Sequence, residues 1–185
     1  MKNTLLSKTR DYAYECHSST NHLYGNKPYS VHLNMAFNFG FKYRHLINFF
    51  SNKIDPIDVL AGIFVHDTIE DTRQTFNDVK KFTNEEVANI AYALTNEKGR
   101  TRKERANLKY YCGIRETPGA TFVKICDRLA NAQYSKDNNS RMFEAYRDEF
   151  TDFFNRLYAQ EYLPMFFELA KILNISYNNV KLYEL

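Results

Sequence analysis

Residues 55–71, reading DPIDVLAGIFVHDTIED, narrow the folds open to this chain more than any other stretch. Asp55 followed by Pro56 is a helix start, since the carboxylate can cap free amides and proline suits the first turn. Ile57, Leu60, Ala61, Phe64 and Val65 carry that helix to about Ile69, and it is nearly apolar all round, which places it centrally. It then finishes on His66, Asp67, Glu70 and Asp71, four ionisable groups in six residues. Buried charges left unpaired cost several kcal/mol. A divalent cation removes the difficulty. On a helix His66 and Glu70 share one face, and Asp67 and Asp71 share the next. His66 and Asp67 can meet one ion where those faces join, with Glu70 and Asp71 one turn further on. Two ligands beside two free carboxylates is the arrangement that metal-assisted water attack with a general base requires.

The rest of the chain also reads as helix. Leu5, Leu6, Thr9, Tyr12, Ala13 and Cys16 form one face of an opening amphipathic helix, and Gly25, Asn26, Lys27 and Pro28 mark a loop before a second helix from about Ser30. Thr83 with Glu86 and Thr101 with Glu104 look like capping boxes, and Thr117 with Pro118 starts a helix with Phe122, Ile125, Cys126 and Leu129 as its buried stripe. Ser140 begins a long aromatic helix through Tyr146, Phe150, Phe153, Phe154 and Leu157, and Pro164 begins a last one. No segment sustains period-2 alternation around a hairpin turn, so no substantial sheet is expected. The 185 residues carry no internal repeat and no long linker, which predicts one all-α domain.

Composition excludes several functions. Lys+Arg 25 against Asp+Glu 22 gives a net charge of only +3, too balanced to hold nucleic acid or a membrane surface by field alone. Mean hydropathy is −0.56 and even the longer apolar runs, such as the one through residues 61–65, fall far short of the roughly 20 residues of a spanning helix. Charge arrives too early after Met1 for a signal peptide, and Cys16, Cys112 and Cys126 are an odd set without paired spacing. A cytoplasmic protein is the expectation, with Cys112 and Cys126 as buried small hydrophobes. His17, His22 and His45 read as ordinary surface or loop histidines.

Two further segments bear on the charged helix end. Pro28-Tyr29-Ser30-Val31-His32 opens the second helix with a histidine, and Lys124-Ile125-Cys126-Asp127-Arg128-Leu129-Ala130-Asn131 sets a lone aspartate in an apolar stripe. Together with His66-Asp67-Thr68-Ile69-Glu70-Asp71-Thr72, these segments resemble the HD-domain phosphohydrolases, and among them the hydrolase half of RelA/SpoT proteins and the small alarmone hydrolases. The similarity runs from about residue 11 to residue 134, about two thirds of the chain, in the same order and with similar gaps. The resemblance implies a helical bundle of about eight helices around one divalent ion, usually Mn²⁺, with 140–185 as C-terminal helices. It also implies hydrolysis of the 3′-pyrophosphate of guanosine tetra- or pentaphosphate to GDP or GTP. By position, His32, His66, Asp67 and Asp127 become the metal ligands, Glu70 and Asp71 the catalytic carboxylates, and Asn131 a nucleotide contact.

The chain also departs from that family. Leu33 stands where proline is usual, and the basic pair ahead of Pro28 is replaced by residues 21–26, with only Lys27 basic. Tyr24 is a candidate to stack on a base instead. Lys98, Arg100, Arg102, Lys103 and Arg105 form a basic cluster that is either a solvated face or a phosphate contact, with Lys98 and Arg102 the named candidates. The altered loop keeps a second substrate open, the 2′-phosphate of NADPH or a deoxynucleotide, and a third reading is an idle domain that senses a nucleotide. A small-molecule nucleotide is the expected partner, with a homo-oligomer left open through the aromatic stripe.

Overall fold

The computed structural model describes residues 4–49 and 54–176; Met1, where the leader reading begins, and the last residues of the expected 140–185 helical segment lie outside them. Thr4 accepts from the Ser7 amide and opens α1 (Leu5–Ser19). A minimal antiparallel ladder follows, β1 (Leu23–Tyr24) against β2 (Lys27–Pro28), with Leu23 opposite Pro28 and Tyr24 opposite Lys27. Gly25 makes it possible by taking φ +63 at the first turn position. Next come α2 (Ser30–Lys42), a 3₁₀ turn (Arg44–Phe49), α3 (Pro56–Val65), the single-turn α4 (Thr68–Asp71), α5 (Phe76–Phe82) and α6 (Glu85–Leu94). The chain continues through α7 (Arg102–Arg105), α8 (Leu108–Glu116), α9 (Ala120–Asp137), α10 (Met142–Asp148), α11 (Phe150–Leu157), a short 3₁₀ turn and α12 (Leu163–Ile172).

The organising element is α3. Asp55 caps it through the Ile57 amide at 2.8 Å, with Pro56 in the first turn, as the sequence predicts. Residues 59–65 are buried without interruption because the helix serves two hydrophobic clusters at once. Val59, Leu60 and Ile63 join one with α9, α11 and α12. Ala61, Phe64 and Val65 join the other with α1, α5 and α6. The second axis is α9, which packs on α2, α3, α10 and α12.

The architecture is all-α apart from that ladder, but in more and shorter segments than expected. The aromatic helix divides at Glu149 between α10 and α11, where the Glu149 side chain meets Arg102 and Arg128. Its rings Phe150, Phe153 and Phe154 are core. Thr83 ends α5 instead of opening α6; the cap is Asn84, which accepts from the Val87 amide at 2.9 Å. Thr75 with Asp78 forms a capping box that the sequence reading passed over, while Thr101 with Glu104 forms the expected one. Among the described residues no helix is long and apolar enough to cross a membrane.

Candidate metal centre

The apolar helix stops at Val65, four residues sooner than expected, and that break builds the site. Asp67 takes φ −102, ψ 0, and the chain restarts as α4. Glu70 and Asp71 therefore lie in a single separate turn, and not at the C-terminus of a long helix, where acids sit badly. The kink aims His66 and Asp67 together into one space, which adjacent residues of an unbroken helix, about 100° apart, do less well.

Three helical regions supply that space. His32 comes from the first turn of α2, His66 and Asp67 from the α3–α4 break, and Asp127 from the middle of α9. One ligand atom from each of the four lies within 4.8 Å of all the others. The two imidazole Nε2 atoms are 3.2 Å apart, His66 Nε2 is 2.8 Å from Asp67 Oδ2, and His32 Nε2 is 3.3 Å from Asp127 Oδ1. His32 and His66 are fully buried. The Ile63 carbonyl, 2.7 Å from His66 Nδ1, can only accept, so that nitrogen carries the proton and Nε2 presents its lone pair whenever the ring is neutral.

The charges fit a cation. Burial favours the neutral form of Asp67 and Asp127, yet His66 beside Asp67 and the Lys124 ammonium beside Asp127 hold both carboxyls well below the usual range. Burial likewise opposes charge on His66, but Asp67 and Asp127 keep its pKa well above the ordinary value. The anionic group thus draws positive charge inward, and a cation competes for the place with protons. Two imidazole nitrogens with two carboxylate oxygens suit a borderline first-row divalent ion better than Ca²⁺ or a thiolate zinc site.

Further side chains hold this group and the two carboxylates beside it. The Tyr29 hydroxyl donates to Asp67 Oδ2. Lys124 Nζ meets Asp127 Oδ2 at 2.9 Å, and the Asn131 amide donates to Asp127 Oδ1. The Asn96 backbone and side chain hold the two oxygens of Glu70 at 3.0 and 2.7 Å. Asp71 lies 4.0 Å from His22 Nε2, and burial together with the Asp67 and Glu70 anions pushes its pKa up to about 7. His22 stacks on Tyr29 at 4.0 Å and meets His17 Nδ1 to Nδ1 at 2.9 Å. His17 is buried, which corrects its reading as a surface histidine; it continues the face of Tyr12, Ala13 and Cys16 by one more residue. Lys124 escaped the sequence reading although the rule that singled out Asp127, a charge in an apolar stripe, applies equally three residues earlier.

From the cluster opens a cavity of about 810 Å³, large enough for a nucleotide. Asp67, Glu70, Asp71 and Asp127 line one end, and the wall carries Arg102, Lys103, Arg105, Lys124, Arg128 and Arg156 interleaved with Asp148, Glu149 and Asp152. Arg102 and Arg128 are both tied to Glu149, and Arg128 lies over the rings of Tyr146 and Phe153. Of the substrate-contact candidates, Asn131 and Arg102 are on this wall. Lys98 is exposed and outside the lining. Lys27 is exposed, 6.0 Å over the Tyr134 ring, and Tyr24 lies behind Asn131 with its hydroxyl on the Asn131 Oδ1 at 2.8 Å. Cys126 is buried as expected, whereas Cys112 is half-buried against Arg115.

A solved structure described as a metazoan ortholog of SpoT that hydrolyses ppGpp and plays a role in starvation responses superposes with a TM-score of 0.63. The match covers 94% of this chain and 96% of that one at 19% identity. The chain has the HD-domain fold. Sequence similarity points the same way: the human guanosine-3′,5′-bis(diphosphate) 3′-pyrophosphohydrolase MESH1 is 33% identical over 78 residues, 42% of this chain and 44% of the relative. The MESH1 proteins of Drosophila melanogaster and Xenopus tropicalis are 30% and 33% identical over 73 residues, 41% of each relative. The chain thus spans under half the length of the curated relatives it matches. No family model matches it.

Proposed function

We propose that this chain is a manganese-dependent HD phosphohydrolase that removes pyrophosphate from the 3′ position of guanosine tetra- or pentaphosphate. The observation that carries the reading is the four-residue His/Asp group at the end of a nucleotide-sized cavity, with Glu70 and Asp71 at the same end. Similarity to proteins named as 3′-pyrophosphohydrolases of guanosine bis(diphosphate) supports the choice of substrate.

His32, His66, Asp67 and Asp127 hold one Mn²⁺ per chain. When bound, the ion supplies Lewis acidity to a phosphate oxygen and acidifies water at the site. Every other part of the work falls to side chains. Glu70, its carboxylate fixed from behind by Asn96, takes the proton of the attacking water. Asp71 orients that water. Arg102 and Lys124 meet the anionic phosphates along the wall. The water oxygen bonds to the phosphorus on the 3′ oxygen, that P–O bond breaks, the proton taken from the water is returned to the 3′ oxygen, and GDP or GTP leaves with pyrophosphate. The reading takes 1–185 as one domain, working in the cytoplasm on a small-molecule nucleotide.

Tyr24 and Lys27 lie off the cavity wall, and this favours keeping a second substrate in the test. Metal-stripped protein given Mn²⁺ and a panel of guanosine tetraphosphate, guanosine pentaphosphate, NADPH and deoxynucleotides is expected to release pyrophosphate only from the first two. Orthophosphate from NADPH, or triphosphate from a deoxynucleotide, would keep the metal chemistry and overturn the substrate.

A further inference from the structure

Asn131 is engaged at both ends of its side-chain amide. Its Nδ2 donates to Asp127 Oδ1, and its Oδ1 faces the Tyr24 hydroxyl at 2.8 Å. Chemistry sets this orientation. An ionised Asp127 only accepts, so the NH₂ must face it, which leaves the amide oxygen for Tyr24 and makes the Tyr24 hydroxyl the donor.

Tyr24 is itself held in place. Its ring lies 4.1 Å from Tyr134 and 4.8 Å from His32, centre to centre, and the Tyr134 hydroxyl donates to its carbonyl at 3.3 Å. The turn that carries it depends on Gly25, where φ is +63 and an added Cβ would sit 2.5 Å from the Tyr134 hydroxyl. Asp127 thus receives Asn131 on one oxygen and Lys124 on the other, 2.9 Å away. Two donors on opposite oxygens fix the rotation of a carboxylate and so the direction of its remaining lone pair.

We propose that Tyr24 is a positioning residue for the metal centre: through Asn131 it fixes Asp127 and thereby sets the affinity of the His32–His66–Asp67–Asp127 group for a divalent ion. The inference rests on the metal reading above. In consequence the Asn131 amide is spent on the ligand shell, and Tyr24 acts from behind the cavity wall as a clamp in place of a base-stacking ring.

The test is the Mn²⁺ dissociation constant, measured on stripped protein by competition with a fluorescent chelator. Tyr24→Phe removes one hydroxyl and keeps the ring. It is expected to weaken Mn²⁺ binding roughly tenfold, the low end for residues behind a metal ligand, without lowering the melting temperature of the metal-free protein. Asn131→Ala is expected to weaken it about 10–100-fold. The double variant is expected to bind no more weakly than Asn131→Ala alone, because the route is already cut. Should Asn131→Ala not fold, Asn131→Ser serves the same comparison. Wild-type affinity in Tyr24→Phe, or effects of the two changes that multiply, would overturn the proposal. A wild-type protein that binds no Mn²⁺ would instead overturn the metal reading beneath it.

Discussion

At the residue scale the two proposed roles separate cleanly. Asp127→Ala is expected to lose the ion, since it removes one of the four proposed ligands and leaves the half-buried Lys124 without its partner. Glu70→Gln keeps all four ligands and the Asn96 contacts within reach, so metal content stays at wild type while kcat falls by about 10²–10⁴. Metal analysis beside single-turnover kinetics reads both, and unchanged turnover in Glu70→Gln would remove Glu70 from the mechanism. A separate expectation concerns His17, whose burial pulls its pKa down to about 3. Between that value and about 6.5 the unfolded chain binds the proton and the folded one does not, so stability falls as pH drops through this window. Its share at pH 5 is on the order of 1–2 kcal/mol, seen as a flatter stability-against-pH slope in His17→Gln by urea melts. An equal slope in both proteins would contradict it. His66, Asp67 and Asp127 could be singled out in the sequence because charge within an apolar pattern must be compensated. Tyr24 gave no such signal, because its hydroxyl finds Asn131 across 107 residues.

At the scale of elements, which segments are helical was largely legible, and where they stop was not. Asp55-Pro56 and Thr101 with Glu104 are local capping chemistry and appear where expected. The stop at Val65 and the division at Glu149 carry no local stop signal: the first coincides with the His66–Asp67 pair and the second with the contacts of Glu149 to Arg102 and Arg128. The join between α8 and α9 makes the same point. Thr117 and Pro118 signal the start of α9, but the cap is Gly119 at φ +80, chosen for its backbone and for its nearness to Val59 of α3. An added Cβ would sit 2.8 Å from Val59 Cγ2. Gly119→Ala is therefore expected to destabilise by more than about 1 kcal/mol, through left-handed strain and crowding together. Chemical denaturation would show a lower midpoint at constant m; an unchanged midpoint would mean the turn relaxes freely.

For the whole molecule, the bundle keeps three sequence-distant segments in register around one point. His32 precedes His66 by 34 residues, and Asp127 follows much later, yet α2, α3 and α9 all pack on one another. The apolar faces that the sequence displays put α3 at the centre, and its end must then face whatever α2 and α9 present. That is why the four residues of the His/Asp group could be picked out from the sequence motifs, and Arg102 and Asn131 with them, while Glu149 and Arg128 could not: they meet Arg102 through packing of α7, α9 and the α10–α11 corner. On the proposed function, one ion in this group switches on phosphohydrolysis. The direct measurement is a Mn²⁺ titration of stripped protein with guanosine tetraphosphate, reading bound metal and pyrophosphate release together. Release is expected to rise with bound metal, to saturate at one ion per chain, and to be absent from Asp127→Ala. Release from the stripped protein, or full release from Asp127→Ala, would contradict it.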